Sequence, residues 1–457
     1  MTARRLRTAA LAALVAVGLG AGCTSRADDL DAAPVDRVLV VSLPGLDWDD
    51  VEAADLPNLE RFVDQAAVAD MATRIGRRGA TTTDAYLTLG AGTRAVAPVI
   101  DTAVAVDPDE TYGGVPAAEL LERRLGEVPE GIAYLAIGAA VDANDRSVFG
   151  ADVGALGDHL DDAGIERAVV ANADAVEGFV SEGPPPEGAY ARGAATMLMG
   201  SDGIVPGGTV SRSLLMDDPQ AAFGWRLDRG KVLAAFDQAW GGDDPAVVLV
   251  EASDMSRVAA YGPRADAAQR RVLRSQALGD ADELLGDLLE RTDPQHDAVI
   301  VLSPVSPSAS PALGIAALRA PGVDGGYLQS ATTRRDGYVQ LADVAPTVLT
   351  LVGEDAPDSI EGRSFQVGER GSSDRIDRLA RAADAAAFRD ATMPLAVTAI
   401  TVALALLAVA TAVRDRLPSR VRRLLAPLAY GALGVVPASF LVGQVGAVRA
   451  NLAAQAV

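Results

Sequence analysis

Short apolar runs recur along this chain, at Arg37 to Ser42, Ala133 to Ile137, Arg167 to Ala171, Ala246 to Val250 and Ala298 to Leu302, with helical patterns between them. Continuous apolar runs bounded by turn residues suit central parallel strands buried on both faces. Helices are expected over residues 55–67, 117–125, 153–163, 230–239, 266–290 and 341–351. The alternation predicts an α/β fold, a doubly wound and mostly parallel sheet flanked by helices. At 457 residues and 49% hydrophobic, the chain can bury the core of one large or two ordinary domains. The run Gly183 to Gly188 (GPPPEG) reads as a loop opening a surface insertion.

The two ends read differently. Arg4, Arg5 and Arg7 precede an apolar run from Ala9 to about Ala21, the pattern of a secretory signal segment over 1–23. Cys23 is the only cysteine, so no internal disulfide forms. The small residues before it resemble a bacterial lipoprotein cleavage site with Cys23 as the acylated residue, although Gly20 stands where the usual pattern has Leu. An ordinary cleavage site and an uncleaved anchor are the alternatives. Met393 to Val413 is a charge-free run of about 21 residues, enough to cross about 30 Å of hydrocarbon at 1.5 Å per residue. A second apolar stretch, 424–448, contains Pro427, Pro437 and Gln444. The loop between them, 414–423, carries Arg414, Arg416, Arg420, Arg422 and Arg423, which the positive-inside rule places in the cytoplasm. The expected plan is an extracytoplasmic α/β domain over 24–371, an amphipathic stalk over 372–392 and two C-terminal transmembrane helices, anchored in the cytoplasmic membrane of a bacterium.

A formal net charge of −22 excludes general nucleic-acid binding, which needs a concentrated basic surface. The cytoplasmic membrane and an envelope protein or ligand are the partners this plan favours.

Several stretches together resemble the alkaline phosphatase superfamily, which includes sulfatases, pyrophosphatases and envelope phosphotransferases. They are VLVVSLPGLDWDDV followed by Leu56-Pro57-Asn58-Leu59, TTTDAYLTLGAG, HLDDAGIERAVVANADA, and the closing Asp343 to Leu349 with Gly353 and Glu361-Gly362-Arg363-Ser364. They occur in the family's order and cover about residues 36–367. The resemblance implies a metal-assisted hydrolase or transferase whose Thr or Ser nucleophile sits at a helix N-terminus, and Thr82 fits that slot. Three consecutive threonines also suit a helix cap.

The same resemblance shows where the metal ligands would stand. Pro44 replaces the Asp after the first strand, and Pro304 and Val305 replace an Asp-His pair. Asp254 keeps a carboxylate, but Val258 and Ala259 stand where a His would follow. His159 reads as a solvated helix residue, and His296 precedes a strand, at the end opposite to where open α/β sheets bind ligands. Asp47, Asp49 and Asp50, together with Glu251 and Asp254, offer oxygen ligands that suit a divalent ion. Alternatively, the first three open a helix. The expectation is a catalytically degenerate domain with no cofactor. The alternative is a hydrolase or phosphotransferase acting on phosphate or sulfate esters through Thr82, with Asp254 and Asp47 holding Mg, Ca, Mn or Zn.

Overall fold

The computed structural model describes residues 28–30, 34–75, 81–100, 102–175, 190–242, 244–306, 313–323, 325–368 and 374–413, with 418, 427 and 431. At its centre lies an eleven-stranded sheet. Its strands are β1 (Asp28–Asp29), β2 (Arg37–Ser42), β3 (Ala67–Ala72), β4 (Glu166–Val170), β5 (Gly207–Thr209), β6 (Ala246–Glu251), β7 (Asp297–Leu302), β8 (Gly314–Arg319), β9 (Gly326–Ser330), β10 (Tyr338–Gln340) and β11 (Phe365–Val367). The spatial order is β1-β11-β9-β10-β3-β8-β7-β2-β6-β4-β5. From β5 to β7 all neighbours are parallel. Strand β8 is antiparallel to both β7 and β3, and β3 runs parallel to β9 and β10. Strand β11 is antiparallel to β9 and β1.

The helices that matter below are α1 (Trp48–Ala53), α2 (Pro57–Gln65), α3 (Thr82–Ala91), α4 (Arg229–Trp240), α5 (Ser253–Tyr261), α6 (Ala267–Leu289), α7 (Val344–Leu351) and α8 (Arg375–Ala412). Strand β2 shows why its sequence is apolar throughout. Val38 and Val40 join a core with Tyr86 and Leu89 of α3 and Val348 of α7. Leu39 and Val41 point the other way, into a core with Phe62 of α2, Phe236 of α4 and Leu285 of α6. The period-2 side-chain alternation thus feeds two apolar layers, so no position from Val38 to Ser42 reaches water.

The expected mostly parallel sheet with helices on both faces is present, with corrections at its margins. The run at 133–137 is not a central strand. Its residues Ile132–Tyr134 pair antiparallel with Ala105–Val106 and Ile204–Val205 in a separate small sheet, and from Ile137 the chain turns into a helix to Asp145. The helix expected over 55–67 stops at Gln65, and Ala67 opens β3. Gly314 begins the antiparallel return of β8, where a Cβ would lie 2.2 Å from the Ser303 carbonyl oxygen.

The reading of 372–392 as a stalk is also corrected. The first turns of α8 belong to the domain: Leu379 and Ala380 are buried in the layer that holds Leu39 and Val41, and the Arg375 guanidinium donates to the Val63 carbonyl. The helix then continues without a break to Ala412, with Pro394 inside it. Among the described residues no helix is long and apolar enough to cross a membrane. The side chains of 390–393, 395–396 and 399 are not among those described. The segment 1–23 with Cys23 and the loop 183–188 lie outside the described residues, as do 414–423 and 424–448 apart from 418, 427 and 431.

Candidate functional site

The carboxyl ends of β2, β4, β6 and β7 lie side by side, the edge where an open α/β sheet places its ligand. Register puts Ser42 opposite both Glu251 of β6 and Leu302 of β7. Two proline-bearing turns close this edge. The Leu43 amide donates to the Leu302 carbonyl at 2.8 Å and the Gly45 amide to the Val305 carbonyl at 3.1 Å, so the Pro44 and Pro304 turns are tied to each other through backbone. Gly45 supports its turn with φ of 79°, a conformation costly to any residue with a Cβ.

Helix α3 lies against this edge and is buried nearly all round. A buried tyrosine needs a partner for its hydroxyl. Tyr86 reaches the strand ends, where its hydroxyl donates to Glu251 Oε1 at 2.7 Å and lies 2.6 Å from Ser42 Oγ. Ser253 Oγ donates to Glu251 Oε2, and the Asn172 amide donates to Ser253 Oγ at 3.1 Å. A donor chain runs from Ser42 through Tyr86 into one carboxyl oxygen, and a second from Asn172 through Ser253 into the other. All five residues are 2% exposed or less. Burial raises the Glu251 pKa above its ordinary value, against the hydroxyls of Ser253 and Tyr86 and the charge of Arg257. Burial, reinforced by Glu251, holds the Tyr86 phenol well above its ordinary range, so it stays protonated and donating.

Tyr86→Phe should lower the unfolding free energy by about 1–3 kcal/mol, because Glu251 Oε1 loses its donor and Ser42 its partner where no water replaces them. Urea unfolding of the variant checks this. A cost below about 0.5 kcal/mol would show that the network is not closed.

The sequence-predicted site residues are not assembled into one centre. Thr82 is the first residue of α3 and half-buried, and its hydroxyl meets no partner among the described residues. The cap is Thr81: Asp84 N donates to its Oγ1 at 3.2 Å, and the Asp84 carboxylate accepts from the Thr81 amide at 2.6 Å. Asp47 caps α1 in a reciprocal box with Asp50, and burial together with the Asp50 charge pushes its pKa up to about 6. Asp50 is in turn held by Arg274. Asp254 is held by other partners: it accepts from the Leu227 amide at 3.1 Å and from Arg257 Nη2 at 2.7 Å. Among the described residues no three His, Cys, Asp or Glu side chains come together as metal ligands. His296 lies at the amino end of β7, exposed and bonded to Asp293 at 2.9 Å.

Beside this edge sits a charged cluster that sequence reading missed. Arg192 is completely enclosed and pairs with Asp174 at 2.8 Å and Glu110 at 2.6 Å. These residues are separated by up to 82 positions, and no local pattern links them.

No family model and no curated protein matches the sequence. Among solved structures, the chain is similar to the lipoteichoic acid synthase LtaP from Listeria monocytogenes, at 11% identity and TM-score 0.43, covering 80% of this chain and 96% of that one. It is similar to alkaline phosphatase from the Antarctic bacterium TAB5, at 11% identity and TM-score 0.40, covering 71% of this chain and all 100% of that one. A third is the phosphonate monoester hydrolase SpPMH from Silicibacter pomeroyi, at 13% identity and TM-score 0.38, covering 72% and 75%.

Proposed function

We propose that this chain is a membrane-tethered extracytoplasmic domain that has given up phosphoryl and sulfuryl transfer and serves the bacterial envelope by binding. One observation carries the reading: the strand ends where a metal-assisted centre would sit are filled by the closed network of Ser42, Tyr86, Glu251, Ser253 and Asn172. A hydrolase of the resembled type needs a hydroxyl nucleophile activated by positive charge. The residues present do not fit a transition-metal pair. Pro44 and Pro304 carry no ligand atom, Glu251 accepts from two hydroxyls, and Asp254 is spent on Arg257 and a backbone amide. Thr82 would then lack a metal's charge to stabilise an alkoxide.

The tether rests on the signal segment 1–23, the charge-free run from Met393 to Val413 and the Arg-rich loop that follows. Helix α8 supports it by continuing from the domain core into that run as one helix. Acylation of Cys23 would add a second anchor, since one chain alone binds membranes only marginally.

The test uses the detergent-solubilised full chain. Metal content and turnover of an aryl phosphate, a phosphodiester and an aryl sulfate are measured for wild type and Thr82→Ala. The expected result is no stoichiometric zinc and no turnover above background in either. Thr82→Ala should keep its stability, and Thr81→Ala should lose about 1 kcal/mol, because Thr81 is the capping residue. A metal-dependent turnover abolished by Thr82→Ala would overturn the reading in favour of the hydrolase. Protease added to intact spheroplasts should remove the large domain, and full protection would refute the tethered topology.

A further inference from the structure

Behind the sheet edge, on the face that holds α4 and α6, lies a cleft of about 730 Å³. That is the size range of small-molecule sites. It opens between α5, α6 and the two-stranded ribbon of Leu215–Asp217 and Trp225–Leu227. Leu227, Val258 and Leu273 supply apolar wall. The charges around it are unequal in a specific way. Each arginine on the wall is already committed: Arg257 to Asp254, Arg226 to Asp218 at 3.0 Å, and Arg229 to Glu283. Asp280 on α6 also lines the cleft, and among the described residues it has no hydrogen-bond or ion-pair partner. Burial, then the neighbouring Asp254 charge, raises its pKa, against the more distant charge of Arg226.

We propose that this cleft binds an organic cation, an ammonium or guanidinium group on a short apolar stem, with Asp280 as its counter-charge. A metal ion is the poorer fit, because no three carboxylates converge here among the described residues. An anion would meet no uncommitted arginine on the wall and would face Asp280. The apolar wall beside one unpaired carboxylate matches an amine with a methylene chain. The inference deepens the binding-domain reading, and its test measures binding without turnover, so the two can fail separately.

The experiment is calorimetric titration of the solubilised full chain with spermidine, for a free polyamine, and with Nα-acetyl-lysine amide, for a peptide side chain. Saturable one-to-one binding of at least one probe is expected, and the stronger probe identifies the source. Asp280→Asn should weaken it about tenfold or more, and Asp280→Glu should retain it within about threefold, as loss of one partly buried charge pair implies. Gly279→Leu gives a second variant, because an added Cβ there meets nothing within 4 Å and the side chain would fill the cleft that Gly279 lines. It should abolish binding while leaving the unfolding midpoint unchanged or higher. Asp355→Asn, an equal change of net charge at an exposed loop site, should have no effect. Absence of saturable binding for both probes overturns the proposal, as does equal weakening by Asp355→Asn and Asp280→Asn, which would mark a diffuse attraction to an acidic protein.

Discussion

Replacing Arg192 by Met is expected to lower the unfolding free energy by about 3–5 kcal/mol, the range for breaking a buried ion pair from one side. The guanidinium is fully enclosed, and the Asp174 and Glu110 side chains beside it are only 3% and 14% exposed. Burial disfavours its charge, but the two carboxylates outweigh that cost and hold the group firmly protonated. It donates to Asp174 at 2.8 Å, to Glu110 at 2.6 Å and to the Ala105 carbonyl at 3.1 Å, tying the segment after β4 to the segment around 105–110. Without it, two carboxylates lose their direct ion-pair partner where little water reaches them, and only the more distant charge of Arg212 still acts on them. The triple variant Arg192→Met, Asp174→Asn, Glu110→Gln should recover part of the loss, because it removes the stranded charges as well. Urea unfolding with an unchanged m-value measures both. A loss under about 1 kcal/mol in the single variant would show that water reaches the cluster.

The second large effect is a pH dependence. Asp70 lies in the middle of β3, 1% exposed, accepting from Trp48 Nε1 at 3.0 Å. Burial pushes its pKa up to about 7, against the Trp48 hydrogen bond and the charge of Arg335. The folded protein therefore keeps a proton that the unfolded chain releases near the ordinary value of 3.8. Between these values the native state binds more protons, so stability is fully present below about pH 4 and is lost as pH rises towards 7. A shift of roughly 3 units corresponds to about 4 kcal/mol at 1.36 kcal/mol per unit. Asp47 and Asp107, each pushed up to about 6, act in the same direction. Asp70→Asn keeps an acceptor for Trp48 and has nothing to titrate. The stability difference between variant and wild type should therefore move in the variant's favour by several kcal/mol from pH 4 to pH 8. A difference that stays constant with pH would show that Asp70 is ionised throughout.

The parts of the fold legible in the sequence are those whose burial is local. Strands β2, β6 and β7 are contiguous apolar runs because both of their faces are covered, so composition alone announces them. Strand β3 (Ala67–Ala72, AVADMA) is not legible in this way, since its alanines and Asp70 are poor strand formers. Pairing with β8 on one side and β10 on the other makes it a strand. The prolines after β2 and β7, Pro44 and Pro304, were visible in the sequence. The hydroxyl network at the strand ends beside them was not, because Tyr86 and Glu251 are 165 residues apart and each has an ordinary local context.

The sequence by itself determined the α/β layering, the apolar C-terminal run and the prolines that follow β2 and β7, since each is a statement about which residue types occur and how often along the chain. Only the tertiary structure decided that the strand ends are closed by hydroxyls around Glu251, that Asp254 turns to Leu227 and Arg257, and that α8 begins inside the core. The physical reason is that periodicity records how much of a residue is buried, and a side chain's chemistry depends on which partner is buried with it. For Glu251 and Arg192 the deciding partners, Tyr86 and Glu110, come from distant parts of the chain, brought within hydrogen-bonding distance only by the packing of the sheet and its helices.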